Sequence, residues 1–197
     1  MKGLSVIILA AGAARRMNQA KMLLPFEKAT ILETIIEKAK HTNPDAICVV
    51  TGFYHQAIVE KIQDNQIQFV YNENWSEGMS GSIKIGLDFV VSLNTDIKMV
   101  LIMVADQPFI SSSLLDAMIA LQKSSNKGIV AASYAGVAGT PVLFCRNHFS
   151  NLEKLQGDKG ARSILQQYPD DLTMIDFPLG EIDIDTEADY HKLGLNK

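Results

Sequence analysis

Apolar residues in this chain fall into short continuous runs separated by segments of helical spacing. The first run, Val6-Ile7-Ile8-Leu9, is apolar at every position, the pattern of a parallel strand buried on both faces. Similar runs predict strands at Ala46 to Val50, Ile67 to Tyr71, Met99 to Val104, Ile129 to Ser133, Pro141 to Phe144 and Leu172 to Phe177. Ile31, Leu32, Ile35, Ile36 and Ala39 recur at helical spacing and predict a helix from Thr30 to Lys40, with Thr30 and Glu33 as its capping box. Further helices are expected at Tyr54 to Gln63, over a segment whose apolar face carries Ile83, Ile85, Leu87, Phe89 and Val90, and at Ser112 to Gln122. Three short ones follow: after Arg146 to Leu155, Ala161 to Gln167, and Glu187 to Leu193. Strands alternating with helices predict an α/β fold with a mainly parallel sheet. The second half breaks strict alternation, so at least one antiparallel strand is expected, with the glycine- and alanine-rich stretch from Tyr134 to Thr140 as a link. No repeat, low-complexity tract or linker divides the chain, and residues 1–197 read as a single domain.

The polar residues that interrupt this pattern concentrate at strand ends. Four predicted strands empty into Gly12, Thr51-Gly52, Asn72 and Asp106. In an open α/β sheet ligands bind beyond the carboxyl ends of the strands, and parallel strands bring those four ends to one edge. The first strand leads into Ala10-Ala11-Gly12-Ala13-Ala14, then Arg15, Arg16 and Lys21. A loop almost free of side chains lets backbone amides approach a polyanion that the cations then neutralise. The same pattern fits a small-residue turn that binds nothing, with Arg15 a solvated charge. The loop is neither a Walker A loop, for want of a closing Gly-Lys-Ser/Thr, nor the dinucleotide fingerprint, for want of partner glycines. Asp106, after the most apolar strand and before Gln107-Pro108, suits a metal ligand, and equally a turn-forming Asp. Asp183 and Asp185 alternate with isoleucines and share one side of an extended segment, although Asp185-Thr186 also reads as a helix cap.

These motifs resemble the MobA/MocA group of nucleotidyltransferases. The resemblance rests on L-A-A-G-x-x-x-R-M with a Lys before L-L-P, on N-x-x-W-x-x-G-M-x-x-S, on the Asp of Asp106-Gln107-Pro108, on Gly139-Thr140-Pro141, on Gly157-Asp158-Lys159-Gly160-Ala161-Arg162, and on the D-I-D-T close. The Ala-Ala-Gly form is similar to the MocA branch, the molybdenum cofactor cytidylyltransferases. The resemblance implies a three-layer, Rossmann-like, nucleotide-diphospho-sugar transferase (GT-A-like) fold with a mixed, mainly parallel sheet. It implies transfer of CMP from CTP to the phosphate of Mo-molybdopterin with release of pyrophosphate. It assigns Arg16, Lys21 and Asp106 to catalysis, and Asp106 with Asp185 to Mg²⁺ or Mn²⁺, Asp183 being the alternative second ligand. It assigns Ala10, Ala11, Gly12, Thr51, Gly52, Asn72, Gly78 and Ser82 to the nucleotide, and Gly139, Pro141, Asp158 and Arg162 to the acceptor. Ala11 stands where the GTP-using branch has a second Gly, and its methyl group narrows the base pocket. Ala14 and Asn18 depart from the family's usual Ser and Gly. Two other readings remain: a nucleotidyltransferase using GTP or a sugar phosphate acceptor, and a non-catalytic carrier that hands molybdenum cofactor to a molybdenum hydroxylase apo-enzyme.

Composition narrows the field further. Of 197 residues 47% are hydrophobic and 20% charged, which one adequate core accommodates. A formal net charge of −4 argues against a nucleic-acid partner. No apolar run reaches a membrane span, and a strand that starts at once leaves no room for a leader, so a cytoplasmic protein without a membrane partner is expected. Cys48 and Cys145 sit in strand-like runs and read as buried thiols. All four histidines, His41, His55, His148 and His191, read as surface residues.

Overall fold

The computed structural model describes residues 2–14, 17, 19–182, 184 and 186–192, with the side chains of Lys159 and Lys192 left aside. Nine strands are described: β1 (Leu4–Ala10), β2 (Pro25–Phe26), β3 (Ala29–Thr30), β4 (Ala46–Thr51), β5 (Ile67–Tyr71), β6 (Met99–Val104), β7 (Ile129–Tyr134), β8 (Val137–Cys145) and β9 (Leu172–Asp176). The helices are α1 (Ile31–His41), α2 (His55–Lys61), α3 (Met79–Leu93), α4 (Ser112–Ser125), α5 (Phe149–Glu153), α6 (Arg162–Gln167) and α7 (Glu187–Lys192), joined by short 3-10 turns.

Seven strands form one sheet in the order β5-β4-β1-β6-β8-β7-β9, and β2 pairs with β3 in a separate small ribbon. β5, β4, β1 and β6 run parallel, and β8 is antiparallel to both its neighbours. β1 lies between β4 and β6, with Ile7 opposite both Cys48 and Ile102. Its side chains alternate between two cores. Val6 and Ile8 pack with Ile31, Ile35, Leu115 and Met118 on one face, while Ile7 and Leu9 pack with Ile83, Leu87, Phe149 and Ile164 on the other. That double burial is why the run carries no polar position. Each such side chain contributes about 1.5–3 kcal/mol on leaving water.

The capping box forms as expected: the Thr30 amide donates to Glu33 Oε2 at 2.7 Å and the Glu33 amide to Thr30 Oγ1 at 3.2 Å. α3 sits close on the sheet because residue 86 is glycine: a Cβ there would lie 2.7 Å from Ile7 Cγ2. Its buried face is therefore Ile83, Gly86, Leu87 and Val90, and Ile85 and Phe89 are only half-buried.

Three expectations are corrected. The stretch from Tyr134 to Thr140 is a hairpin, since β7 and β8 pair through Tyr134 and Val137 and only Ala135 and Gly136 turn, at φ 49° and 73°. Left-handed geometry at both turn positions matches the twist of the flanking strands. His148 is buried, with Nε2 2.8 Å from Asp171 Oδ2 and Nδ1 3.2 Å from Asn151 Nδ2. Cys48 is buried and its thiol pushed up to about 12 by desolvation, but Cys145 is half-buried. Among the described residues no helix is long and apolar enough to cross a membrane.

Candidate active site

The parallel strands β5, β4, β1 and β6 bring their carboxyl ends to one edge of the sheet, where a cavity of about 480 Å³ opens. Its floor is the chain leaving β1: Ala10, Ala11, Gly12, Ala13 and Ala14 all line it. The loop is pinned from behind, where the Phe53 amide donates to the Ala11 carbonyl at 3.2 Å. A Cβ added to Gly12 would meet no protein atom within 4 Å, so a side chain there would project into open space. Ala14 is held at φ 42°, a left-handed conformation that costs a non-glycine residue about 1–2 kcal/mol.

Opposite the loop, Lys21 sits in the 3-10 turn Lys21–Leu23 and places Nζ 3.0 Å from Asp106 Oδ2. The Lys21 side chain is largely enclosed, at 13% exposure, while that of Asp106 keeps 32% and lines the cavity. Asp106 is fixed by the strand before it, through the Ala105 amide on the Leu9 carbonyl at 3.0 Å. The Ile184 amide reaches the Asp106 carbonyl at 3.5 Å and ties the C-terminal segment to this strand end. Arg16, Asp183 and Asp185 lie outside the described residues.

The remaining wall is the start of α3. Gly78 stands at φ 113° and ψ 174°, a region open essentially to glycine alone. A Cβ there would overlap Asp158 Oδ1 and lie 2.8 Å from the Gly157 carbonyl carbon. Ser80 Oγ donates to the Gly157 carbonyl at 2.5 Å, and a Cβ on Gly160 would lie 2.8 Å from Met79 Sδ. Two motifs distant in sequence, Gly78 to Ser82 and Gly157 to Arg162, are thus packed onto one another.

A second cavity, of about 450 Å³, lies beyond that junction and shares Leu9, Met79, Val104 and Asp158 with the first. Gly139, Asp158 and Arg162 line it, whereas Pro141 is buried outside it. Gly139 is glycine because Tyr134 crosses it, with Cζ 2.8 Å from where a Cβ would stand.

Ala10, Ala11, Gly12, Lys21, Gly78, Ser82 and Asp106 therefore meet in one cavity. Thr51, Gly52 and Asn72 sit behind its wall instead. Thr51 Oγ1 lies 2.7 Å from His55 Nδ1, and Gly52 makes room for Trp75, whose Cβ is 2.6 Å from where a Gly52 Cβ would be. Fully buried Asn72 donates through Nδ2 to Ser82 Oγ at 2.9 Å and accepts the Asn74 amide at 3.0 Å. It holds the helix start that lines the cavity. Sequence reasoning missed Trp75 and Met79 as lining residues, and Gln107 as a brace. Gln107 donates to the Gly180 carbonyl at 2.9 Å and accepts from Thr140 Oγ1 at 3.0 Å, joining β6 to the hairpin and the C-terminal segment. An amide side chain set directly between the strand-end Asp106 and Pro108 was the signal that could have found it.

Fold and site together define an open α/β protein with paired cavities at the ends of its parallel strands. The chain belongs to the MobA-like NTP transferase domain family, whose model matches residues 6–172. A curated relative, the bifunctional protein GlmU of Francisella tularensis, is 29% identical over 167 residues, covering 84% of this chain and 35% of GlmU. The chain thus spans about a third of the length of the curated relatives it matches. Among solved structures, Rv0371c of Mycobacterium tuberculosis superposes with a TM-score of 0.84 at 25% identity, over 97% of this chain and 96% of that one. The 4-diphosphocytidyl-2C-methyl-D-erythritol synthase of Anaerococcus prevotii shares the fold, with a TM-score of 0.75 at 18% identity over 100% of this chain and 97% of that one.

Proposed function

We propose that the protein is a nucleotidyltransferase that moves CMP from CTP to the phosphate of Mo-molybdopterin and releases pyrophosphate. The observation that carries this reading is the pair of cavities with a shared wall, one with a bare backbone loop and the Lys21–Asp106 pair, the other with Arg162. A donor and an acceptor held side by side have their reacting phosphates in contact range, which is most of what phosphoryl chemistry asks of a protein.

An acceptor phosphate oxygen attacks the α-phosphorus of CTP, and the bond from that phosphorus to the β-phosphate oxygen breaks in line. The acceptor phosphate is already ionised at neutral pH, so no strong general base is needed. Amides of the Ala10 to Ala14 loop hold triphosphate oxygens, and Lys21, with Arg16 from the same segment, neutralises the departing pyrophosphate. Ala11 lines the nucleotide cavity, and its methyl group favours the smaller pyrimidine base.

Asp106 fits a divalent cation: it is a hard oxygen donor, accessible in the cavity and fixed at a strand end. Among the described residues no group of three His, Cys, Asp or Glu forms a protein-only cage. Mg²⁺ or Mn²⁺ would be carried largely by phosphate and water oxygens, with Asp106 and then Asp185 (or Asp183) as the protein ligands. When bound, the cation supplies neutralisation of triphosphate charge. Of the solved relatives, one Rv0371C structure is a complex with manganese.

The test is pyrophosphate release from CTP, GTP and ATP with Mo-molybdopterin and Mg²⁺ or Mn²⁺. CTP-dependent release that falls by about 100-fold or more in Asp106→Asn is expected. Release with GTP alone would overturn the argument from Ala11, and release only with a hexose phosphate would replace the acceptor. Cofactor transfer to an apo-hydroxylase that persists in Asp106→Asn without any release would favour the carrier.

A further inference from the structure

The pairing of β6 with β8 stops short of the site. Its register runs from Met99 opposite Cys145 to Ile102 opposite Val142, and Asp106 lies beyond it. Thr140 and Pro141 fall in the register shift between the Ala131–Val142 and Ala132–Gly139 pairs, and from Gly139 back to Val137 β8 pairs with β7. The second cavity opens where β6 and β8 part: Ile102 and Val104 line it from one strand, Gly139 and Thr140 from the other.

Gln107 takes over where the ladder ends. Its Oε1 accepts from Thr140 Oγ1 at 3.0 Å, and its Nε2 donates to the Gly180 carbonyl at 2.9 Å. Both bonds lead to the same wall of the cavity. Thr140 lines that wall directly. Gly180 is the surface on which Phe177 and Tyr134 pack, a Cβ there being 2.5 Å from Cδ1 of each, and Tyr134 in turn crosses Gly139.

A buried amide is costly unless its donor and its acceptor are both satisfied. Filling the space behind Asp106 would need only an apolar side chain of similar volume. What the buried Gln107 amide adds is direction: its two ends fix two points of the cavity wall to the residue that follows Asp106.

We infer that Gln107 is a positioning residue for transfer, a side-chain rung that sets the wall of the second cavity against the strand end bearing Asp106. The inference rests on the proposed transferase, in which the first cavity holds CTP and the second the acceptor. Gln107 lines neither cavity and acts through the wall it holds. An acceptor displaced by about 1 Å from the α-phosphorus loses about 100-fold in rate. Water needs no such wall. It attacks the α-phosphorus of bound CTP directly, and the products are CMP and pyrophosphate.

The test compares pyrophosphate release from CTP and Mg²⁺ with saturating Mo-molybdopterin against release with no acceptor, at a temperature well below every Tm. In Gln107→Met, which keeps the length and loses both bonds, kcat for transfer should fall by about 100-fold. Thr140→Val, which loses the hydroxyl donor, should lower it by about 10-fold, and Thr140→Ser should restore it. Release to water, and CTP affinity read from the fluorescence of Trp75, the chain's one tryptophan, should match the wild type in all three variants. A purely structural amide would lower Tm and leave the ratio of transfer to hydrolysis unchanged. If Gln107→Met does not fold, the Thr140→Val and Thr140→Ser pair decides alone. An unaltered ratio in Gln107→Met or in Thr140→Val, or a Thr140→Ser variant as slow as Thr140→Val, would overturn the inference and leave the transferase standing. A wild type with no acceptor-dependent release would remove both.

Discussion

The junction between the two cavities depends on a single missing Cβ, and replacing it gives a quantitative test. Gly78→Ala forces an L-residue into φ 113°, ψ 174°, which costs of order 1–3 kcal/mol. The added methyl also meets Asp158 Oδ1 and stands 2.8 Å from the Gly157 carbonyl carbon. Because that neighbour is backbone, the 157–160 turn must lift off the helix start, an overpacking cost of about 1–3 kcal/mol. The two together come to about 4 kcal/mol. In a chain of 197 residues, at about 2–4 °C per kcal/mol, Tm should fall by about 8–16 °C. The control is three residues on. A Cβ at Gly81 would meet only Asn72 Nδ2, at 3.6 Å, and the backbone there is helical, so Gly81→Ala should be neutral or raise Tm by up to about 4 °C. Thermal melts of both variants measure this. Pyrophosphate release should drop in Gly78→Ala even well below its Tm, because Asp158 lines both cavities. A Gly78→Ala variant that melts within about 2 °C of the wild type would refute the docking of the 157–160 turn on α3.

Two further predictions follow from groups behind the site. Asn72→Ala removes both the donor to Ser82 Oγ and the acceptor of the Asn74 amide from a fully buried position, which should cost about 1–3 kcal/mol in urea unfolding and raise the KM for CTP. An unaltered KM would place the α3 start under other control. Asp171 is held below the usual carboxylate range first by the Gly128 amide, at 2.7 Å, and then by His148. A depressed native pKa stabilises the fold fully above the unfolded value of about 3.9, and that stability is lost as pH falls through the native value. The Tm gap between wild type and Asp171→Asn should therefore be constant from neutrality down to about pH 5 and close below about pH 4. A gap that persists at the lowest pH would exclude the charge of Asp171 as its source.

Much of this was legible in the sequence because the relevant physics is local. A strand segment buried on two faces is built from apolar residues, and the runs Val6 to Leu9, Ile47 to Val50 and Met99 to Val104 read as such. The Thr30 and Glu33 capping box depends on residues three apart, and it formed. The four strand ends converged because parallel strands share a direction. The hairpin at Ala135-Gly136 was not legible, since its register is set by β6 and β9 pairing alongside it. His148 was misread because the groups that satisfy it, Asp171 and Asn151, come from different elements.

The same division runs through the site. By itself the sequence determined the bare Ala10 to Ala14 loop, the strand-end Asp106 and the cation Lys21, because each is a residue type whose chemistry is fixed before folding. Tertiary structure decided which of the candidates face the ligand space. Thr51, Gly52 and Asn72 end strands as Asp106 does, yet they were drawn behind the wall, because the helix start and Trp75 that cover them come from later in the chain. Only packing brought Gly78 against Asp158 and set side by side two cavities that share Met79. A side chain's chemistry belongs to its residue type, but its vacancy for a ligand depends on every neighbour that might have filled it.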